Sequence, residues 1–157
     1  MRQELINQFS HFWRIYKSVC KDFDVASWKN SGYGLTQPNR LALHIIQSTK
    51  CYIEDKTPLV YADGKRIETN SWNMDKKDLP ELNDILFLLE DVKNKTEIWL
   101  KEIDFDIKND KFPWTGNTFG SIVLFLLRHS QYHLGEMNCL LNDQLKGKAE
   151  DYFAKEL

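Results

Sequence analysis

Apolar residues recur every three or four positions along four stretches of the chain, the period of a helix that buries one face. In the first, Leu5, Phe9, Phe12, Tyr16, Val19 and Phe23 share a stripe flanked by Ile6, Trp13 and Cys20, which predicts a helix from about Arg2 to Lys21. Polar residues and the glycines of Ser31-Gly32-Tyr33-Gly34 break the period between Asp22 and Gln37, so this segment reads as a connection. Thr36 is placed as an N-cap with Pro38 in the first turn, and the second helix runs to about Glu54 with Leu41, Ile45, Ser48 and Tyr52 inward and His44 at the edge of that side. Asp55 to Asp78 is a long polar connection, a crossover between helices two and three, with a short hairpin expected around Asp63-Gly64 and an isolated Trp72 that covers a core edge or lines a pocket. Pro80 opens a third helix, with Asp78 supplying acceptor oxygens, along Leu82, Ile85, Leu89, Val92, Thr96, Trp99 and Ile103. Asp104 to Asn117 is polar and broken by Pro113 and Gly116, with Phe112 and Trp114 as aromatic outliers. Thr118 caps a fourth helix reaching about Asp143, and the tail from Gly147 to Leu157 forms a short terminal helix through Tyr152 and Phe153. The expectation is an all-α fold: a four-helix bundle forming a single domain over residues 1–157.

Composition narrows the class without changing this picture. A chain of 157 residues buries a core without disulfide or metal staples, and 42% hydrophobic with 28% charged residues is ordinary for a globular protein. The net charge of −2, from 21 basic and 23 acidic residues with no basic block, gives no electrostatic footprint for nucleic acid or an anionic membrane. The start of the chain is amphipathic at once, and the expected location is the cytoplasm. Cys20, Cys51 and Cys139, odd in number and each inside a predicted helix, read as reduced packing residues. His11 lies off the first stripe and reads as a solvated surface histidine.

The candidate chemistry lies on the fourth helix. Phe119, Ile122, Leu126, His129, His133, Glu136 or Met137 and Leu140 share one stripe, so two histidines one turn apart face the interior. Their Cβ atoms stand about 5–6 Å apart, close enough for both imidazoles to hold one ion at roughly 2.0–2.1 Å. His44, inside the apolar run Leu41-Ala42-Leu43-His44-Ile45-Ile46, is the best third ligand, because a site in a helical core draws its ligands from separate helices. Three neutral imidazoles leave a divalent ion with its full charge and an unfilled position, the arrangement of a catalytic site. The bland alternative is a set of core histidines hydrogen-bonded to carbonyls.

Spacing removes several competitors. Ser130 follows His129, so the glutamate of the His-Glu-x-x-His metalloproteases is absent. The residues three before His44, His129 and His133 are Leu41, Leu126 and Ser130, so the paired Glu-x-x-His motifs of a di-iron centre are absent too. A Cys–His nucleophile would use Cys51, two turns after His44, but a thiol buried among apolar groups is inert. Glu136, three residues after His133, either accepts an imidazole N–H behind the metal or pairs with Arg128 at the rim. Tyr132 either reaches the open position or packs, and Trp114 is a further candidate lining residue.

The order of these features resembles the DinB-like superfamily, which includes the bacillithiol- and mycothiol-dependent transferases. The likeness spans nearly the whole chain: a first helix, His44 in the second, a long connection, a third helix, then His129-Ser130-Gln131-Tyr132-His133-Leu134-Gly135-Glu136. It implies that His44, His129 and His133 hold a divalent ion, zinc or nickel, at one end of a four-helix bundle whose chains pair as homodimers. Where that family often has Gln, this chain has Glu136, which adds a negative charge. The activity implied is transfer of a low-molecular-weight thiol, held as thiolate, to a small electrophile. Metal-dependent hydrolysis of a small substrate and a non-catalytic, stress-associated dimerisation or binding module with a structural metal remain as alternatives.

Overall fold

Helix α1 (Arg2–Asp22) forms where the first apolar stripe lies, and Phe9, Phe12, Trp13, Ile15, Tyr16, Val19 and Cys20 are its buried residues. Each large apolar side chain sealed in this way contributes roughly 1.5–3 kcal/mol. The computed structural model describes residues 1–155. Beyond α1 it contains α2 (Val25–Asn30), α3 (Pro38–Tyr52), α4 (Leu82–Glu102), α5 (Phe119–Gln144) and α6 (Tyr152–Lys155), with single 3-10 turns at Ser71–Asn73, Lys76–Asp78 and Pro113–Thr115. The protein is all-α. Among the described residues the extended structure is limited to two isolated bridges, Val60 with Arg66 and Lys108 with Thr118. The first is what the hairpin expected around Asp63-Gly64 amounts to. The terminal helix is present as α6, and residues 156 and 157 of that expectation lie outside the described residues.

The four long helices close on one another: α1 packs on α4 and α5, and α3 packs on α4 and α5. Their inward faces, with Trp28, Tyr61 and Tyr152, make one apolar cluster. The Tyr16 hydroxyl, buried in that cluster, donates to the Ala42 carbonyl at 3.0 Å and ties α1 to α3. The Arg2 guanidinium donates to the Leu100, Lys101 and Ile103 carbonyls, satisfying acceptors that the end of α4 leaves open. No helix among the described residues is long and apolar enough to cross a membrane.

Four local expectations differ from the structure. The segment 22–37 holds α2, nucleated by the Asp24 carboxylate accepting from Ser27 N–H and anchored by Trp28, whose indole N–H donates to the Pro80 carbonyl at 3.1 Å. The N-cap of α3 is Gln37, without a side-chain bond, because the Thr36 hydroxyl is spent on the Tyr33 carbonyl. Helix α4 starts two residues later than expected, at Leu82, with Glu81 and Asp84 forming a reciprocal capping box, while Asp78 belongs to the 3-10 turn before it. His11 is half-buried, and its Nε2 is sealed from solvent without a partner, so it is not a solvated surface residue.

Two anchors fix the ends of the elements that carry the histidines. Thr118 caps α5 by accepting from Ser121 N–H, and the loop before it is drawn tight by the Asn109 amide, which donates to the Phe112 and Gly116 carbonyls. Gly116 is required there: its φ is 127°, and a Cβ would stand 2.6 Å from the Ser121 Cβ. After α3 the chain turns back through Asp55, whose carboxylate meets Lys50 and Lys95, the latter at 3.0 Å.

Candidate metal centre

The buried stripe of α5 runs through Ile122, Leu126, Ser130, Leu134, Met137 and Leu141, so His129 and His133 lie half-buried beside it rather than on it as the sequence suggested, and the half-buried His44 meets them from α3. His44 Nε2 and His133 Nε2 each stand 3.3 Å from His129 Nε2, and the ligand atoms of all three rings lie within 4.8 Å of one another. Two nitrogens held about 2.05 Å from an ion at the tetrahedral angle are about 3.3–3.4 Å apart. Those two separations are the ones expected of neighbouring ligands on a common ion. The three histidines lie close together and have the geometry to bind a metal.

Proton bookkeeping supports this fit. His133 Nδ1 is 2.7 Å from Glu136 Oε2, and a carboxylate only accepts, so the proton sits on Nδ1 and the Nε2 lone pair is bare. His44 Nδ1 and His129 Nδ1 are buried with no partner. When His44 and His129 carry their protons on Nδ1, as His133 does, three Nε2 lone pairs converge. A cation among the three Nε2 atoms gives those lone pairs a partner. Burial, then the neighbouring His133 and His129 rings, lowers His44 to about 3, and burial followed by His133 lowers His129 to about 4. Both rings are thus neutral at physiological pH, the form that ligates.

Aromatic rings wall the site. The Trp72 ring lies 4.1 Å from that of His44, centroid to centroid, and Phe125 stacks on His129 at 5.6 Å with 17° between planes. Trp72 owes its position to two α3 side chains that flank His44. The buried Arg40 guanidinium donates to the Ser71 and Met74 carbonyls. The Gln47 amide accepts from Ser71 N–H at 2.7 Å and donates to the Thr69 carbonyl at 3.0 Å. The turn carrying Trp72 is fastened one helical turn on either side of His44.

The remaining candidates fall at different distances. Glu136 touches His133, as one of its two readings required, and does not pair with Arg128. Tyr132 is 65% exposed with its ring 5.1 Å from that of His133, so it packs beside the site. Trp114, also 65% exposed, does not reach the histidines; its indole N–H donates to the Tyr52 hydroxyl at 3.2 Å. Of the cysteines, only Cys20 is buried, and burial raises its thiol above the usual range. Cys51 and Cys139 are exposed, which corrects the expectation that they pack in the core. Cys51 is in the last turn of α3, facing a cleft beside His44 and His129. Phe125 and Cys51 are the site residues that sequence reasoning misplaced or passed over, while Trp72 stands beside the site as one of its two readings had it. The signal available was Cys51 at seven residues, and Phe125 at four, from a candidate ligand.

Compared with protein-family models, curated proteins and solved structures, the chain matches none.

Proposed function

We propose that the protein is a DinB-like four-helix bundle that binds a divalent ion, zinc or nickel, through His44, His129 and His133 and transfers a low-molecular-weight thiol to a small electrophile. The observation that carries this reading is the convergence of three imidazole Nε2 atoms from two helices at the spacing of ligands on one ion. The ring of four long helices and the resemblance in residue order support the bundle and the family. A homodimer belongs to the same proposal. Bound there, the ion supplies Lewis acidity, lowering the pKa of a thiol that meets its open side.

The chain's own residues do the rest. Glu136 holds the proton on His133 Nδ1 and so keeps the Nε2 lone pair directed inward. Trp72 and Phe125 cover two of the rings and exclude water, which strengthens every charge interaction in the site. Arg40 and Gln47 hold the wall in place.

The test is metal content together with thiol consumption. The native protein is expected to carry about one equivalent of ion, and each of His44→Ala, His129→Ala and His133→Ala to lose most of it. A full equivalent in all three variants overturns the site. With a small electrophile, thiol consumption that His133→Ala abolishes supports transfer; ester turnover without thiol moves the reading to hydrolysis, and neither activity moves it to a binding module.

A further inference from the structure

The open side of the histidine cluster leads into a cleft whose walls bear on what enters it. A cavity of about 190 Å³ lies against His44 and His129 and is lined further by Gln47, Ser48, Cys51, Tyr52 and Asn70. It adjoins a second of about 410 Å³ through shared Gln47, Cys51 and Asn70, and the second extends to Lys56 and Thr57. Together they fall in the range of roughly 300–1,000 Å³ typical of small-molecule sites.

The lining is chemically one-sided. The first cavity has no carboxylate. The Asn70 carbonyl oxygen accepts from Trp72 N–H at 2.9 Å, which turns its amide N–H groups outward with no acceptor among the described residues. The Tyr52 oxygen accepts from Trp114, leaving its own hydroxyl hydrogen free to donate. Gln47 and Ser48 are spent on backbone groups and form inert wall. In the second cavity Asp55 is neutralised by Lys50 and Lys95, and Glu68 lies near Arg66, whereas Lys56 has no carboxylate partner among the described residues. Apart from Glu68, whose exposed carboxylate stands 3.7 Å from Arg66 Nε, the unspent groups along the path are donors and one cation.

We infer that this cleft seats the body of the thiol substrate, with its sulfur at the histidines and a carbonyl- or carboxylate-bearing portion against Asn70, Tyr52 and Lys56. The inference rests on the metal-site reading and adds the ligand's class and direction of entry. Cys51 is the natural gauge of the cleft, and Cys139, also exposed and on α5, is its internal control.

The first arm of the test needs no metal. The protein is labelled with carboxyethyl methanethiosulfonate or with the uncharged ethyl reagent, and modification is followed by mass spectrometry at each cysteine. The preference for the carboxylate reagent is expected to be several-fold greater at Cys51 than at Cys139 and to fall in Asn70→Ala and Lys56→Ala, since a hydrogen bond to a charged group is worth about a factor of ten. Equal preferences at the two cysteines overturn the ligand class. The second arm uses protein loaded with Co(II), read by sulfur-to-cobalt absorption. N-acetylcysteine is expected to bind roughly tenfold more tightly than N-acetylcysteamine, which lacks the carboxylate. Cys51→Leu, which fills the cleft, should abolish thiol binding while leaving cobalt uptake intact, and Cys51→Ser should retain both. Thiol binding by Cys51→Leu equal to wild type overturns the placement. Failure of the wild-type protein to take up cobalt overturns the metal-site reading instead, and the labelling arm then decides the cleft alone.

Discussion

Glu136 is where this chain sets its own terms. Its carboxylate, 2.7 Å from His133 Nδ1, fixes the tautomer and adds a negative charge behind a ligand. Carboxylates in this position typically raise metal affinity by about 10–100-fold. Glu136→Gln keeps an acceptor for the N–H and loses the charge; Glu136→Ala loses both. Competition with a chromophoric chelator should show affinity falling in the order wild type, Gln, Ala, with the alanine variant roughly 10–100-fold weaker. Equal affinities would reduce Glu136 to a surface partner. The three histidines were legible in the sequence because polar rings set within apolar helical runs demand a partner, although they lie beside the buried stripes rather than on them. The choice between the two readings of Trp72 was not, because its position comes from backbone carbonyls and an N–H bonded to Arg40 and Gln47, and no periodicity encodes those bonds. Cys51 was misread because membership of an amphipathic helix was taken for burial, although the last turn of α3 borders the cleft.

At the scale of elements, the reading succeeded where length let a period show. Helices α1, α3, α4 and α5 each span 15 or more residues and carry full stripes. Helix α2 has six residues, too few for any stripe, and depends on Trp28 meeting the Pro80 carbonyl across 52 positions. The cap of α3 was displaced because the Thr36 hydroxyl is engaged with Tyr33, and that of α4 because Asp78 lies in the 3-10 turn before the helix begins. The connection after α3 depends on one carboxylate. Burial pushes Asp55 up, but hydrogen bonds from Lys50, Thr57 N–H and Lys95 outweigh it and hold the carboxyl well below its usual range. Its Lys50 partner is only 7% exposed, so Asp55→Asn leaves a buried ammonium without its counter-charge. Urea unfolding of that variant should show a loss of about 3 kcal/mol, the usual cost of breaking a buried pair from one side. A loss under about 0.5 kcal/mol would mean the pair behaves as a surface contact.

For the whole molecule, the fold class was legible and the mutual placement of helices was not, since stripes say which face is buried and not against what. The core is extensive: Tyr16 and Val19 on α1 and Ile85 and Val92 on α4 are all 0% exposed, beyond the two helices that meet at the histidines. Stability should nevertheless depend on pH when metal is absent. His44 and His129 are lowered to about 3 and about 4 from 6.5, so the unfolded chain binds protons that the folded one refuses. The stability they contribute is complete above about pH 6.5 and is lost as pH falls toward those values. Thermal melts of metal-free protein should therefore decline from pH 7 to pH 5, and added zinc should defer the decline. A flat profile would place both rings in water. The three imidazoles also crowd around one point, braced from outside by an indole, a phenyl ring and a carboxylate. Such a socket does not assemble around its guest; it stands ready-made on a frame that keeps its shape alone. Under the proposed reading, loss of the ion would leave the frame standing, and another of similar size could take its seat. Which element fills it in a cell then follows from supply and from the Irving–Williams order rather than from the architecture.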